Sequence, residues 1–148
     1  MNIFFLDRNP KIAAEYHCDK HVVKMAVEYA QILLTIIHLT GSTPNQFVYK
    51  PTHENHKCVI WAGKSLAHWE WLWRLGNNVG NEYTKRYNKI HKSTIALRCL
   101  PVPNKLTDHG WVDDPPLAMP ETYFNDDVVV AYRNYYIGEK SHIAKWGF

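Results

Sequence analysis

Apolar and polar residues recur with helical spacing in three long stretches of the chain. These stretches are 10–39, 57–91 and 126–140, and the last opens with two aspartates that suit a helix N-terminus. Residues 101–125 are rich in proline and predict a long connecting loop. The pattern therefore predicts one all-α domain, 1–148, of about three long helices with a long Pro-rich loop.

Capping residues and helix breakers refine these elements. Asn9 is a favoured N-cap residue and Pro10 is favoured at the first helical position, so the first helix is expected to begin there. This helix is either one rod or two pieces broken near His17. A polar loop is predicted at 46–56, and the glycine and asparagines at 76–78 can kink or break the second helix.

A narrow polar stripe runs along the first long helix, which is otherwise strongly apolar. At about 100° per residue, its members fall within an arc of about 100°. They are His17, Lys20, His21, Lys24, Glu28, Gln31, Thr35 and His38. An ordinary surface helix is polar over a much wider arc, so we expect the stripe to face a cleft. The alternative is a solvated stripe on a packed helix.

Composition sets limits on the partners and the compartment of the protein. The net charge is +3, and nine histidines can add to it, which permits a polyanionic partner without demanding one. The three cysteines are widely spaced and form no C-x-x-C pair, so we expect a reducing, cytoplasmic setting. Neither a signal peptide nor an uninterrupted apolar run of about 18 residues is seen, so no membrane-spanning helix is expected.

The residue types in the stripe suit anion binding and proton transfer. Lysines and histidines attract anions, and Glu28 has Lys24 and Lys20 one and two helical turns before it. Such a supported carboxylate can stabilise a developing cation or move a proton. The alternative is a metal site at His17 and His21. We expect none, because the H-E-x-x-H pattern is absent and the nearby lysines repel a divalent ion.

Other segments add candidate contacts to nucleic acid. Asn55 is expected to cap the second helix, which leaves His56 free to bind a ligand. Trp61 can stack on a base, although a core position is more common for tryptophan. Arg86 and Lys89 lie in a basic, tyrosine-rich stretch that can either grip phosphates or form a solvated helix end.

A short pattern resembles a known enzyme family. The sequence K-x-x-V-E-x-x-Q-I-L at 24–33, followed by Asn-His at 55–56 and the tryptophan at 61, is similar to that of the pyrimidine-dimer DNA glycosylases. This family comprises the phage endonuclease V type and its bacterial relatives, and the resemblance covers residues 1–92. It implies a compact all-α enzyme, of bacteriophage origin, that excises damaged pyrimidines and nicks the abasic site.

The resemblance also implies roles for particular residues. In the family the amine of the N-terminal residue, exposed by methionine removal, attacks the sugar C1′ and forms a Schiff base. Here Asn2 would donate that amine, Glu28 matches the assisting glutamate, and His21 matches a histidine seven residues before it. Two departures stand out. The family's arginines near the glutamate are lysines here, and the bulk of Asn2 disfavours removal of Met1, whose own amine would then react.

The sequence therefore predicts a DNA glycosylase with abasic-site lyase activity. The predicted catalytic residues are Glu28, Asn2 and His21, and the predicted nucleic-acid contacts are His17, Lys20, Lys24, His56, Trp61, Arg86 and Lys89. The alternative is a nucleotide-binding or nucleotide-modifying protein that uses the same cationic cleft, and a purely structural interaction protein ranks third. We expect a monomer that binds DNA or a nucleotide, needs no cofactor or metal, and contacts no membrane.

Overall fold

Helices account for all the regular secondary structure of residues 1–42 and 50–146, which are the residues that the structure, a computed structural model, describes. The helices are α1 (Pro10–Tyr16), α2 (Asp19–Leu39), α3 (Lys57–Ala62), α4 (Leu66–Tyr87), α5 (Lys92–Arg98) and α6 (Val128–Glu139), with a short 3₁₀ turn at Glu121–Tyr123. The all-α prediction is confirmed. The number of long helices differs, because only α2 and α4 exceed 20 residues.

The first predicted helix consists of two pieces, which confirms one of the two alternatives. Asn9 caps α1 by accepting a hydrogen bond from the backbone N–H of Lys11 at 2.9 Å. His17 then adopts an extended conformation and separates α1 from α2. The guanidinium of Arg86 donates to the backbone oxygens of His17 and Glu15 at 2.7 and 3.1 Å. These bonds satisfy carbonyl groups that the end of α1 leaves without helical partners.

The prediction of one helix over 57–91 is wrong, because this stretch contains α3 and α4 and leads into α5. The chain leaves α3 at Gly63, and α4 ends where Asn88 takes a left-handed conformation with φ of 56°. The kink considered at 76–78 does not break α4. Gly76 serves close packing instead, since a Cβ there would lie 2.9 Å from a methyl carbon of Leu97 in α5.

Helix α2 is long and apolar enough, by composition, to cross a membrane. Its most apolar window has a mean hydropathy of 1.5. The few polar residues in this helix interrupt its apolar runs, so run length alone gives no sign of this. However, 61% of that window is buried inside the protein. The helix packs on α3, α4 and α5. Such burial is typical of a helix in the core of a folded domain.

The Pro-rich loop is ordered by side chains that bond to its backbone. The indole N–H of Trp61 donates to the carbonyl of Asp113 at 3.0 Å, and His68 accepts from the N–H of Val112 at 3.1 Å. The loop leads to α6, which Asp127 caps as the acidic start predicts. The third predicted helix is thus confirmed. Of the polar loop predicted at 46–56, residues 46–49 lie outside the described residues.

Candidate functional site: an amine beside a helical carboxylate

The N-terminal segment brings the chain terminus into the interior of the fold. Residues 1–6 form neither helix nor strand, and Ile3, Phe4, Phe5 and Leu6 are all buried. The backbone N–H of Phe4 donates to the hydroxyl of Tyr29 on α2 at 3.2 Å. The segment therefore lies against α2, and its first residue reaches the polar stripe of that helix.

The terminal amine lies next to Glu28. The Met1 nitrogen is 3.5 Å from Oε1 of Glu28, and Nζ of Lys24 is 3.6 Å from Oε2. The Glu28 side chain is 14% exposed and that of Met1 only 4%, whereas that of Lys24 is 69% exposed. The carboxylate is therefore mostly buried and has two ammonium groups close by, of which that of Lys24 ends a solvent-facing side chain. Both distances exceed those of a tight charge-assisted hydrogen bond, which are about 2.7–2.9 Å.

His56 adds a neutral donor close to this pair. Its Nδ1 accepts a hydrogen bond from the backbone N–H of Cys58 at 3.1 Å and so caps α3. Burial lowers the pKa of His56, as does the positive charge of the Met1 ammonium, while Glu28 acts in the opposite direction. With Nδ1 accepting, the neutral ring carries its proton on Nε2 and can donate it to a ligand.

Met1 is present in the structure, so the nitrogen of Asn2 is part of a peptide bond there. Its side chain is an anchor instead. Nδ2 donates to the carbonyl of Ala118 at 3.0 Å, while Oδ1 accepts from the N–H of Ile3 at 2.7 Å and lies 2.9 Å from the Tyr132 hydroxyl. In the structure the terminal amine therefore belongs to Met1, and the Asn2 side chain is bonded one residue away from it.

His21 is buried two helical turns before Glu28. Its Nδ1 is 2.5 Å from the hydroxyl of Tyr136 on α6, and its ring stacks on that of Phe4 with centroids 4.3 Å apart. Burial, and then the charges of Lys140 and Lys24, lower the pKa of His21 to about 4. At neutral pH it is therefore an uncharged link between α2, α6 and the N-terminal segment.

Two residues predicted to contact nucleic acid are buried in the core. His17 donates from Nδ1 to the carbonyl of Ala13 at 2.6 Å, and its Nε2 lies 2.7 Å from the Tyr29 hydroxyl. Trp61 stacks on His68 with ring centroids 4.3 Å apart. Their assignment as DNA contacts is corrected, because neither side chain reaches the surface.

Arg86 is likewise an internal group. Its side chain is 1% exposed and forms ion pairs with Asp19 at 3.1 Å and Glu82 at 2.9 Å, in addition to its bonds at the end of α1. The prediction that it grips phosphate is corrected for the same reason. Lys20 and Lys89 do lie at the surface. Among the predicted lysine and arginine contacts, the ones at the surface are therefore lysines.

The far end of the polar stripe is covered by the chain itself. Thr35 is fully buried and accepts a hydrogen bond from the N–H of Thr52 at 3.2 Å, while its own hydroxyl donates to the carbonyl of Gln31 at 2.7 Å. His38 is exposed beyond it. The stripe is therefore neither wholly solvated nor wholly open to a cleft, and its accessible part centres on Lys20 and Lys24.

Sequence reasoning missed the residues that join distant parts of the chain to the site. Tyr132 contacts Asn2 across 130 positions, and Lys57 donates from Nζ to the carbonyl of Leu117 at 2.6 Å. No periodic pattern signals such contacts, because both depend on how the Pro-rich loop crosses the fold. The position of the Met1 amine beside Glu28 agrees with the alternative in which the first methionine is retained.

Neither a metal cluster nor a relative identifies the site further. Across 1–42 and 50–146, no group of three or more histidine, cysteine, aspartate or glutamate side chains is arranged to hold a metal ion. Comparison of the chain with protein-family models, with characterised proteins and with solved structures gives no match.

Proposed function

We propose that the protein is a DNA glycosylase with abasic-site lyase activity, acting through the α-amine of Met1 and the carboxylate of Glu28. The observation that carries the proposal is their 3.5 Å separation, with a carboxylate side chain that is only 14% exposed. An amine must lose its proton before it can attack carbon, and a carboxylate at this distance can receive that proton. The resemblance of residues 24–33 to the glycosylase family supports the same pairing.

The proposed chemistry follows from that pair. The neutral amine attacks C1′ of a deoxyribose, so that a C1′–N bond forms and the bond to the damaged base breaks, with the base leaving with the bonding electrons. The sugar ring then opens, as the C1′–O4′ bond breaks, O4′ takes up a proton and the nitrogen gives one up. The C1′=N imine that forms makes the C2′ proton acidic. Its removal then expels the 3′ phosphate by β-elimination and nicks the strand. Glu28 would accept and return protons and stabilise the cationic imine.

Surface lysines and neutral histidine would hold the DNA. Lys20 and Lys24 lie one turn apart on α2 and are both exposed, and Lys89 is exposed beyond α4. Lysine ammonium groups near phosphates release counterions, so binding should weaken as salt is raised. His56 would donate from Nε2 to a sugar or phosphate oxygen without adding charge.

Borohydride trapping on DNA tests the proposal. The wild-type protein is incubated with duplexes that carry one abasic site or one ultraviolet-induced pyrimidine dimer, and borohydride reduces any imine to a stable amine. We expect a covalent adduct with the wild type, and a loss of about 100-fold or more in trapping rate for Glu28→Gln, the scale of an essential proton-transfer group. Glu15→Gln is the matched control, since Glu15 is an exposed helical glutamate on α1.

The location of the adduct decides the mechanism. Digestion and mass spectrometry should place the sugar remnant on the N-terminal peptide, and intact mass should show that Met1 is retained. A folded wild-type protein that forms no adduct on either duplex would sink the lyase proposal. If thermal stability then rises with mononucleotides but not with DNA, the nucleotide-binding alternative takes its place.

A further inference from the structure

We propose that the Asn2 side chain, held by Tyr132 of α6 and by Ala118 of the Pro-rich loop, positions the Met1 amine against Glu28. The loop and the last helix would then have a function, which is to fix the chain terminus. The catalytic consequence of this inference rests on the proposed function. Its geometric part concerns only where the amine is held.

The ion pair by itself does not fix the amine. At 3.5 Å the contact between the Met1 nitrogen and Glu28 is longer than a charge-assisted hydrogen bond, which is about 2.7–2.9 Å, so it constrains direction only weakly. Chain termini are poorly ordered unless other contacts tie them down. A separate restraint is therefore needed to keep the amine at the carboxylate.

Asn2 supplies that restraint one residue away. Both ends of its carboxamide are engaged, since Nδ2 donates to Ala118 and Oδ1 accepts from the N–H of Ile3. The bond to Ile3 also settles which end of the carboxamide is oxygen, because a backbone N–H can only donate. With the Asn2 side chain fixed, few backbone torsions remain between the anchor and the Met1 nitrogen.

Tyr132 connects the anchor to the rest of the fold. It is fully buried, and burial raises the pKa of its hydroxyl, which therefore keeps its proton. The hydroxyl lies 2.9 Å from Oδ1 of Asn2 and 2.5 Å from the carbonyl of Pro116, and it accepts from the N–H of Ala118 at 3.4 Å. Because the hydroxyl has one proton, it donates to either Oδ1 of Asn2 or the Pro116 carbonyl at a time, and it brings the N-terminal segment, the Pro-rich loop and α6 together at one point.

The test compares two asparagines that both make local hydrogen bonds. Asn2→Leu removes the anchor, and its bulk keeps Met1 in place, which intact mass verifies. Asn9→Leu is the matched control, because Asn9 also bonds backbone N–H groups but caps α1 instead. Both variants should lower Tm by about 2–8 °C, the shift expected for losing one or two such bonds. Tyr132→Phe is a second, milder variant that deletes only the hydroxyl.

Two readouts separate positioning from mere stability. Acylation of the Met1 α-amine by a water-soluble activated ester, at a temperature where all variants are folded, should be several-fold faster in Asn2→Leu and Tyr132→Phe than in the wild type or Asn9→Leu. Borohydride trapping on abasic DNA, measured at saturating DNA, should be about tenfold slower in Asn2→Leu and Tyr132→Phe, because misplacing a reacting group by about 1 Å costs up to about 100-fold in rate. The DNA concentration that gives half the maximal trapping rate should change by less than about twofold, because the DNA contacts are unaltered.

The outcomes are distinct. If Asn2→Leu matches Asn9→Leu in both acylation and trapping, the positioning inference is wrong while the proposed function stands. If the wild type forms no adduct, the proposed function fails, and acylation alone decides whether Asn2 holds the amine. Faster acylation with unchanged trapping would show an anchor without a catalytic role, which overturns the inference as stated.

Discussion

Glu28 on α2 and Glu82 on α4 are both partly buried glutamates with a cation one helical turn away, yet their partners differ sharply. Glu82 is 10% exposed and bonds the Arg86 guanidinium at 2.9 Å, and that guanidinium is itself 1% exposed and also pairs with Asp19. Glu28 is 14% exposed, but its partners stand at 3.5 and 3.6 Å, and one of them, Lys24, is mostly in solvent.

The difference separates a structural ion pair from the pair that we propose is reactive. A buried carboxylate that is saturated by short bonds has no capacity left for a ligand, and removing its partner leaves an uncompensated charge in the interior. A carboxylate with long contacts can exchange a partner for a substrate at little cost. On this basis Glu82 and Arg86 hold the helices together, whereas Glu28 and the Met1 amine are available for chemistry.

The largest expected effect is on stability, at the structural pair. Arg86→Met should lower the free energy of unfolding by about 3–5 kcal/mol, because it strands Glu82 and the carbonyls at the end of α1. Lys24→Met, the matched change beside Glu28, should cost less than about 1 kcal/mol, since Lys24 is exposed and screened. Urea denaturation of the two variants measures both values, and equal losses would erase the distinction.

Acid should destabilise both regions through their buried histidines. Burial lowers the pKa of His17 to about 3, and burial with nearby lysines lowers that of His21 to about 4. Both pKa values lie below that of histidine in the unfolded chain. Between pH 6.5 and about 4 the folded protein therefore binds fewer protons than the unfolded chain does, and the stability present above pH 6.5 is lost as the pH falls through that window. The loss between pH 7 and 5 should be about 2 kcal/mol for each histidine.

Glutamine variants assign that acid sensitivity. His17→Gln and His21→Gln should each remove about half of the pH dependence, measured by urea denaturation at pH 7 and pH 5. His142→Gln is the control, since His142 is exposed in the C-terminal segment. A slope that neither core variant reduces would place the acid-sensitive groups elsewhere.

The carboxylates themselves should respond differently to neutralisation. Glu82→Gln keeps the shape of the side chain but weakens a buried charged bond, and should cost about 2 kcal/mol. Glu28→Gln should cost less than about 1 kcal/mol, because its contacts are long. Thermal and urea unfolding of both variants check this, and a loss at Glu28 as large as that at Glu82 would argue that it is also a structural group.

The smallest stability effects are expected at a pair of histidine caps. His56 and His91 each accept a backbone N–H, from Cys58 and Ser93 respectively, at the same distance of 3.1 Å. His56→Ala and His91→Ala should therefore lose about 1 kcal/mol or less each, the usual range for an N-cap. Only His56→Ala should also weaken DNA binding, measured by fluorescence anisotropy. Equal binding losses would remove His56 from the site.

Local patterns were sufficient for much of the fold. The cap at Asn9 and the acidic start of α6 follow from rules that involve neighbouring residues, whereas the break near His17 was one of two alternatives that the pattern left open. The end of α4 at Asn88 and the separate helix α5 were missed. The helical pattern continues past Asn88 to residue 91, so it gave no sign that α4 ends there. A histidine cap such as His91 is not among the common start signals, so the start of α5 had no clear local mark.

The candidate site was harder to predict, because burial decides the role of each polar residue. Arg86 and Trp61 have residue types that suit nucleic acid, but the fold uses both internally. For Arg86 the sequence did contain a signal of an internal ion pair, since Glu82 lies one helical turn before it. The tie between Asn2 and Tyr132 spans 130 positions and had no local signal.

The central claim is that the Met1 amine and Glu28 form a reactive pair. Borohydride trapping on a duplex with one abasic site, compared between wild type, Glu28→Gln and Glu82→Gln at a temperature where all three are folded, tests it most directly. We expect an adduct on the Met1 peptide for the wild type and Glu82→Gln, and a loss of about 100-fold for Glu28→Gln. An adduct on a lysine side chain, or equal trapping by all three proteins, would contradict it.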